Sequence, residues 1–312
     1  MLNSDKVRSS RNKTLTLGQE EEQAFARQLQ RLEQGMSLPQ ITDQIFHDDL
    51  LRAADLFPRQ FVDLLILDPP YNLDKDFHGL KFSKSRDHNY RAYLESWFPK
   101  LLPLLKPEAT VYFCGDWRNC AEIYTLLTKY LKVRNRITWQ REKGRGANAN
   151  WKNSTEDIWF ATLSENYYFD LESVKVRRKV VAPYRENGQP KDWMETSKGN
   201  FRMTCPGNFW DDLSVPYWSM PENTDHPTQK PEKLLAKLIL ASSKPGDLVF
   251  DPFLGSGSTA VTAKKLGRHY CGVEMNPEYC CWALARLQRA ETDKHIQGYQ
   301  DGVFWERNSA PQ

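Results

Sequence analysis

The chain has 312 residues, of which 40% are hydrophobic and 27% are charged, with a net charge of +3. This composition is typical of a globular protein long enough for one large α/β domain with an insertion, and it excludes a disordered or fibrous chain. No run of about 18 apolar residues is present to span a membrane, and the polar N-terminus lacks the apolar core of a secretory signal. The six cysteines show neither C-x-x-C pairs nor zinc spacings, so we predict reduced thiols in a cytoplasmic protein and no metal site.

The first part of the chain predicts an arm followed by alternating helices and strands. Residues 1–16 are polar and basic and predict a flexible arm, and 19–34 is rich in helix formers. "QIFH" and "FVDLLILD" predict buried strands, "YRAYLESWFPKLLPLL" an amphipathic helix and "ATVYFCG" a further strand. The polar segment 74–90 predicts either a lid or DNA-contacting loop, or a plain solvated loop.

The second part returns to regular patterning after an irregular stretch. "NRITWQR" and "EDIWFAT" predict an antiparallel strand pair, and periodicity then fades over 165–225. A helix over "PEKLLAKLILASS", a strand "DLVFD", a glycine-containing turn, a helix "TAVTAKKLG" and a strand "HYCGVE" follow. Strands that alternate with helices predict a parallel, doubly wound sheet, which leaves 165–225 as an insertion.

The turn after "DLVFD" has the order of elements that a nucleotide-type ligand needs. Gly255 and Gly257 let backbone approach a ligand, and the following helix offers free N–H groups at its start. Glu274 ends the next strand, where its carboxylate can accept hydrogen bonds from ribose hydroxyls. The three-glycine dinucleotide spacing is missing because residue 260 is alanine. A purely structural turn is the alternative that this pattern leaves open.

Asp68, Pro69, Pro70 and Tyr71 follow a buried strand directly. The two prolines restrict the backbone and remove two N–H donors, but both of their carbonyl groups remain as acceptors. Together with the Asp68 carboxylate and the flat ring of Tyr71, these acceptors could bind an exocyclic amino group while the ring stacks on the attached base. A strand-ending turn that is capped by Asp68 is the alternative.

Three blocks, "DPPYN", "DHPTQKP" and "DPFLGSGST", occur in this order in one chain. They resemble the β group of S-adenosylmethionine-dependent DNA amino-methyltransferases, and the resemblance covers residues 43–290. It implies a Rossmann-like, doubly wound, mostly parallel sheet of seven strands in circularly permuted order, with an inserted target-recognition region. It also implies a type II restriction-modification enzyme that methylates the N6 amino group of an adenine flipped out of duplex DNA. Cytosine N4 methylation is the alternative.

The resemblance assigns roles to individual residues. Asp68 and the carbonyl group of Pro69 would bind the target amino group, with Pro70 in the same motif and Tyr71 as the stacking partner. The implied S-adenosylmethionine contacts comprise the adenine-side Asp49, the ribose-binding Glu274 and the residues around the methionine part: His226, Thr228, Lys230, Phe253, Gly255, Ser256 and Gly257. Asp49 follows Asp48, where relatives usually place glycine before the matching aspartate.

Basic residues indicate where double-stranded DNA would bind. The segment 132–152 holds seven lysines or arginines against one acid, and 175–179 adds four more. Phosphate contacts are predicted for Arg141, Lys143, Arg145, Arg177 and Arg178, with a solvated charged face as the alternative. The predicted segments are a polar arm and helix over 1–40, a catalytic half over 41–164, target recognition over 165–225, a cofactor-binding half over 226–290 and a tail over 291–312. Whether the protein acts with a partner restriction endonuclease and whether it forms a homodimer stay open.

Overall fold

A computed structural model describes residues 9–71, 75–77, 80–82, 87–141, 148–180, 184–197 and 199–305, and describes the side chains outside 72–88. No helix in these ranges has the length and apolarity that crossing a membrane requires. The helices are α1 (Gln19–Ala26), α2 (Leu38–Ile41), α3 (Leu50–Ala53), α4 (Asp87–Leu101), α5 (Cys120–Tyr130), α6 (Glu232–Ser242), α7 (Ser258–Lys265) and α8 (Pro277–Arg289).

The strands fall into a long main set and several short ones. They are β1 (Gln44–His47), β2 (Val62–Leu67), β3 (Lys75–Phe77), β4 (Leu80–Phe82), β5 (Leu105–Gly115), β6 (Lys132–Gln140), β7 (Thr155–Thr162), β8 (Val176–Lys179), β9 (Arg185–Glu186), β10 (Gln189–Pro190), β11 (Met194–Thr196), β12 (Gly199–Thr204), β13 (Phe209–Trp210), β14 (Leu248–Asp251), β15 (His269–Glu274), β16 (Tyr299–Gln300) and β17 (Val303–Phe304).

The main sheet has the order β1-β15-β14-β2-β5-β7-β6-β13. Its neighbours are parallel except where β7 runs antiparallel to β5 and to β6. The mostly parallel fold and the antiparallel β6–β7 pair are therefore confirmed. The sheet has one strand more than the seven predicted, because the two-residue β13 adds to the outer edge of β6.

Both faces of the main sheet are covered, which explains the apolar run over 64–67 of β2. Successive side chains of a strand point to opposite faces. Leu65 and Leu67 accordingly pack in the cluster that includes residues of α4 and α5, whereas Leu64 and Ile66 pack in the cluster that includes residues of α6 and α7. All residues of α6 are buried, because its second side packs against a smaller sheet.

The smaller sheet corrects the predicted division of the chain. Its order is β11-β12-β8-β17-β16, so strands of the 165–225 insertion and of the predicted C-terminal tail form one layer. β17 pairs in parallel with β8, with Phe304 opposite Val176. Phe304 has no exposed surface and packs with Val174, Val176 and the α6 residue Leu240. The described part of the tail is thus the neighbour of the insertion rather than a separate segment.

The N-terminal predictions also need correction. The predicted helix over 19–34 ends at Ala26, and Gln30 instead forms a bridge with Phe46 of β1. Residues of the arm are packed: the Leu15 N–H donates to the Asn223 carbonyl, and its side chain lies against Trp282 of α8. In 74–90, β3 and β4 form an antiparallel pair and α4 begins at residue 87. The predicted lid or DNA-contacting role lies largely outside the described residues.

Candidate active site

Four neighbouring parallel strands end at one edge of the main sheet. β1 is followed by Asp49, β15 ends at Glu274, β14 ends at Asp251 and β2 is followed by Asp68. In an open α/β sheet, the crevice outside the carboxyl ends of the strands is where ligands bind. The order of the strands thus brings together acids that lie more than 200 positions apart in the chain.

A cavity of about 320 Å³ lies at this edge, within the size range of small-molecule sites. Its walls combine apolar rings, including those of Tyr93, Trp97 and Phe253, with a few polar groups. The predicted catalytic and cofactor residues that line it are Asp49, Asp68, Pro69, Pro70, Tyr71, His226, Thr228, Lys230, Phe253, Gly255, Ser256 and Glu274. Gly257 is the predicted cofactor residue that the structure leaves outside the lining.

The two glycines of the turn each allow a close approach to a different neighbour. Gly255 has a φ of +54°, and a side chain at this position would place its Cβ 2.9 Å from the His226 ring at the cavity. Gly257, with a φ of +83°, precedes α7, and a Cβ there would lie 2.6 Å from the Cβ of Ala283 in α8. The close approach at Gly257 is therefore between the start of α7 and α8, and its predicted contact with the cofactor stays a prediction.

Glu274 is held at the cavity by backbone donors. Its Oε2 accepts the N–H of Gly255 at 2.8 Å and its Oε1 accepts the N–H of Asn276 at 2.8 Å. Burial raises the pKa of this carboxyl group, and the backbone hydrogen bonds act in the opposite direction. Because a carboxylate has about four lone-pair sites, each oxygen can still accept a hydrogen bond from a ligand.

Adjacent Asp48 and Asp49 have separate roles. Asp49 lines the cavity, and its Oδ1 accepts the N–H of Leu51 at 2.7 Å as the N-cap of α3. Asp48 is buried, pairs with Arg52 and accepts the N–H of Leu32 at 3.2 Å. The aspartate that stands in the place of the usual glycine is thus part of the scaffold beneath the cavity.

Asp68 is paired with a lysine that the resemblance had placed near the methionine part. The Lys230 ammonium lies 2.8 Å from both carboxylate oxygens of Asp68 and 3.1 Å from the Tyr71 hydroxyl. The Tyr71 hydroxyl donates to Asp68 Oδ1 at 2.9 Å. Lys230 thus contacts the predicted catalytic motif directly, which the sequence pattern did not indicate.

Glu156 of β7 is a site residue that the sequence analysis missed. Its Oε2 lies 3.3 Å from the Lys230 ammonium, and its Oε1 lies 2.5 Å from the Arg141 guanidinium. The available signal was a pair of adjacent acids, Glu156 and Asp157, at the start of a strand that continues with apolar residues, since a buried charge requires a partner. Arg141, predicted to contact phosphate, is half-buried and pairs with Glu156, and its contact with DNA stays a prediction.

The charge state of this cluster follows from its surroundings. Burial by itself lowers the pKa of Lys230, but the carboxylates of Asp68 and Glu156 outweigh it and raise the pKa above its ordinary value. Burial, reinforced by the Asp68 charge, raises the pKa of Tyr71 well above its ordinary value. Lys230 is therefore an ammonium and Tyr71 a neutral hydroxyl donor at physiological pH.

The other residues predicted to contact DNA have different surroundings in the structure. The Arg177 guanidinium lies 4.6 Å from the Phe201 ring centroid and 5.0 Å from that of Trp305. Arg178 is exposed and lies opposite Arg202, which pairs with Asp192 at 3.4 Å. Phosphate contacts of Arg177 and Arg178 stay predictions. Lys143 and Arg145 lie outside the described residues.

A model of the N6/N4 family of DNA methylases matches residues 62–285. The chain belongs to this family. The methylase is 34% identical over 254 residues to the DNA adenine methyltransferase YhdJ of Escherichia coli (strain K12), covering 79% of this chain and 83% of that one. It is also 34% identical over 240 residues to the type II methyltransferase M.HpaI of Haemophilus parainfluenzae, covering 76% and 71%.

Solved structures agree with the fold. M1.HpyAVI, solved as a complex with S-adenosylmethionine, is 25% identical with a TM-score of 0.55, and the match covers 78% of the methylase and 98% of that chain. The cytosine-N4-specific PvuII methyltransferase is 18% identical with a TM-score of 0.59, over 78% and 85% of the two chains. The predicted family and fold class are confirmed.

The donor set in the methylase fits S-adenosylmethionine. Glu274 offers acceptors of the kind that ribose hydroxyls need, and the rings of Tyr93, Trp97 and Phe253 offer apolar walls of the kind that a purine needs. His226 and Ser256 line the same cavity beside the Gly255 turn.

Replacing Glu274 by glutamine is expected to weaken S-adenosylmethionine binding, because the amide has fewer acceptor sites and no charge. The loss of hydrogen bonds to a charged acceptor should raise the dissociation constant about ten- to hundredfold. Calorimetry on the purified methylase measures this. Glu278→Gln, which changes a carboxylate of α8 outside the cavity lining, is the control. Equal affinities for the two variants would remove Glu274 from the cofactor site.

Proposed function

We propose that the methylase transfers a methyl group from S-adenosylmethionine to the N6 amino group of adenine in duplex DNA. The observation that carries the proposal is the Asp68 carboxylate, which lies at the edge of the cavity, at the carboxyl end of β2 and beside Pro69. YhdJ, a relative similar over most of both chains, is named an adenine methyltransferase, which supports adenine as the target.

The proposed chemistry needs acceptors for an amino group and an electrophile. S-adenosylmethionine, when bound, supplies a methyl group on a positively charged sulfur. Asp68 accepts one N–H of the adenine amino group and the Pro69 carbonyl accepts the other, so that the nitrogen lone pair is turned out of conjugation with the ring. The methylated nitrogen is much more acidic than a neutral amino group, so Asp68 can take its proton although the carboxylate is paired with Lys230. Holding the amino group in this geometry is the main catalytic contribution.

An adenine inside a duplex cannot reach this cavity, so the proposed reaction requires base flipping. Tyr71 is proposed to contact the flipped base with its ring, while its hydroxyl remains bonded to Asp68. Duplex binding is proposed for Lys143, Arg145, Arg178 and the 97% exposed Trp151. The smaller sheet is the proposed target-recognition region. M.HpaI is named a type II methyltransferase, which supports a partner restriction endonuclease.

The target base can be tested by nucleoside analysis. DNA that lacks methylated bases is incubated with the purified methylase and labelled S-adenosylmethionine, digested to nucleosides and separated by chromatography. We expect label in N6-methyl-2′-deoxyadenosine and none in N4-methyl-2′-deoxycytidine, with sequencing by modified-base detection giving the recognition sequence. Label in N4-methyl-2′-deoxycytidine alone would replace adenine by cytosine, and the absence of label from DNA would contradict the proposed function.

A further inference from the structure

A buried chain of alternating charges begins at the catalytic motif. The side chains of Lys230 and Glu156 are each 7% exposed and that of Asp68 is 20% exposed. Contacts run from Asp68 to Lys230 at 2.8 Å, from Lys230 to Glu156 at 3.3 Å and from Glu156 to Arg141 at 2.5 Å. The proposed chemistry uses Asp68 alone, so the role of the other charged residues, Lys230, Glu156 and Arg141, has to be explained separately.

The geometry at Asp68 is restrictive. The terminal torsion of an aspartate side chain is broad, so an isolated carboxylate samples many orientations. Here one ammonium lies 2.8 Å from both oxygens, and the Tyr71 hydroxyl donates to one of them. These contacts fix the plane of the carboxylate. Because each oxygen can accept about two hydrogen bonds and Oδ1 already accepts from both Lys230 and Tyr71, the lone pair that stays open to a ligand is on Oδ2.

Lys230 itself needs support in this position. Desolvation of an ammonium is costly unless opposite charge and hydrogen bonds compensate for it. Asp68 supplies one negative charge, and Glu156, near the start of β7, supplies the second. Arg141, which follows β6, then balances the extra charge of Glu156. Glu156 thereby gives the ammonium a second carboxylate partner besides the predicted substrate acceptor.

We propose that Lys230 and Glu156 are positioning residues of the methyl transfer: Lys230 fixes the orientation of the Asp68 carboxylate, and Glu156 fixes Lys230. The inference rests on the proposed function, because it assumes that Asp68 receives the target amino group. It differs from the role that the sequence resemblance gave to Lys230, a place beside the methionine part of the cofactor.

Four single variants separate these roles. Lys230→Met removes the ammonium, Lys230→Arg keeps a cation that can donate to both oxygens of Asp68, and Glu156→Gln removes the supporting charge. Lys106→Met is the control, because Lys106 pairs with both oxygens of Asp63, at 2.8 and 2.7 Å, near the other end of β2. The measurements are the single-turnover rate at saturating S-adenosylmethionine on DNA without methylated bases, the cofactor dissociation constant by calorimetry, and the thermal unfolding midpoint.

In Lys230→Met the Asp68 carboxylate is no longer held in its orientation. The single-turnover rate at saturating S-adenosylmethionine should therefore fall about a hundredfold. Its cofactor affinity should stay within about twofold of the wild-type value. Lys230→Arg should recover part of the rate, and Glu156→Gln should lose less than Lys230→Met. The double variant Lys230→Met/Glu156→Gln should be no slower than Lys230→Met, because Glu156 acts through Lys230. Lys106→Met should keep the wild-type rate.

Two results would overturn the inference. A normal rate for Lys230→Met or, if that variant does not fold, for Glu156→Gln would show that Asp68 needs no positioning. A large loss of cofactor affinity together with a normal saturated rate would return Lys230 to the cofactor site. Failure of the proposed function is distinguishable from both, because the wild-type protein would then place no label in N6-methyl-2′-deoxyadenosine.

Discussion

Replacing Asp68 by alanine is expected to lower the rate of methyl transfer by about three orders of magnitude, within the range that one catalytic acid–base group contributes. The carboxylate is the acceptor that aims the amino group, and no other side chain of the Pro-Pro-Tyr segment carries a charge. The variant should fold, because Glu156 still compensates the charge of Lys230 after Asp68 is removed. The measurement is single-turnover incorporation of label into DNA, with cofactor binding by calorimetry alongside.

The matched control for this variant is Asp63→Ala on the same strand, β2, whose carboxylate pairs with Lys106 away from the cavity. It removes the same kind of ion pair and should keep the wild-type rate of methyl transfer. Near-normal turnover of Asp68→Ala, with cofactor affinity retained, would contradict the role of Asp68 in the reaction.

Replacing Phe304 by alanine is expected to destabilise the protein by about 3–5 kcal/mol, the usual cost of truncating a fully buried phenylalanine. The ring is completely buried where α6 meets the smaller sheet, and it lies 4.5 Å from the Tyr299 ring. Urea unfolding measures the change in the free energy of unfolding. Val303→Ala, at the half-buried neighbouring position of the same strand, should cost much less. A loss for Phe304→Ala as small as that for Val303→Ala would show that the C-terminal strand contributes little to this layer.

The main sheet and the position of the cavity were accessible from sequence because they depend on local patterns. Apolar runs that end in Asp68, Asp251 and Glu274 predict parallel strands, and parallel strands place their carboxyl ends at one edge. The three blocks then supplied the cofactor and the reaction through resemblance. These predictions need no knowledge of which side chains touch.

The contacts of Lys230, Glu156 and Arg141 could not be predicted in the same way. The predicted antiparallel pair of "NRITWQR" and "EDIWFAT" brings Arg141 close to Glu156, but nothing in the sequence indicates that Lys230 meets these two side chains. The basic residues of 132–152 were predicted to form a DNA-facing surface, whereas Arg141 in this segment pairs with the buried Glu156. Charge runs in a sequence therefore locate basic residues without telling which of them are neutralised inside the protein.

The smaller sheet was missed because its pairing is long-range. The parallel pair of β8 and β17 joins Val176 to Phe304, which are separated by most of the second half of the chain. Two-residue strands carry too little periodicity to be recognised, and the tail over 299–304 is too short to show a pattern of its own. Only the packed structure shows that the insertion has a partner.

The place of β17 inside the smaller sheet, between β8 and β16, determines when that layer can form during synthesis. Chains emerge from the ribosome N-terminus first, and domains generally fold in that order. All strands of the main sheet are complete by residue 274, whereas β17 is made only at 303–304. The residues that line the cavity are therefore all synthesised before the last strands of the layer that is proposed to choose the DNA sequence. A nascent chain could bind its cofactor before it can select a target.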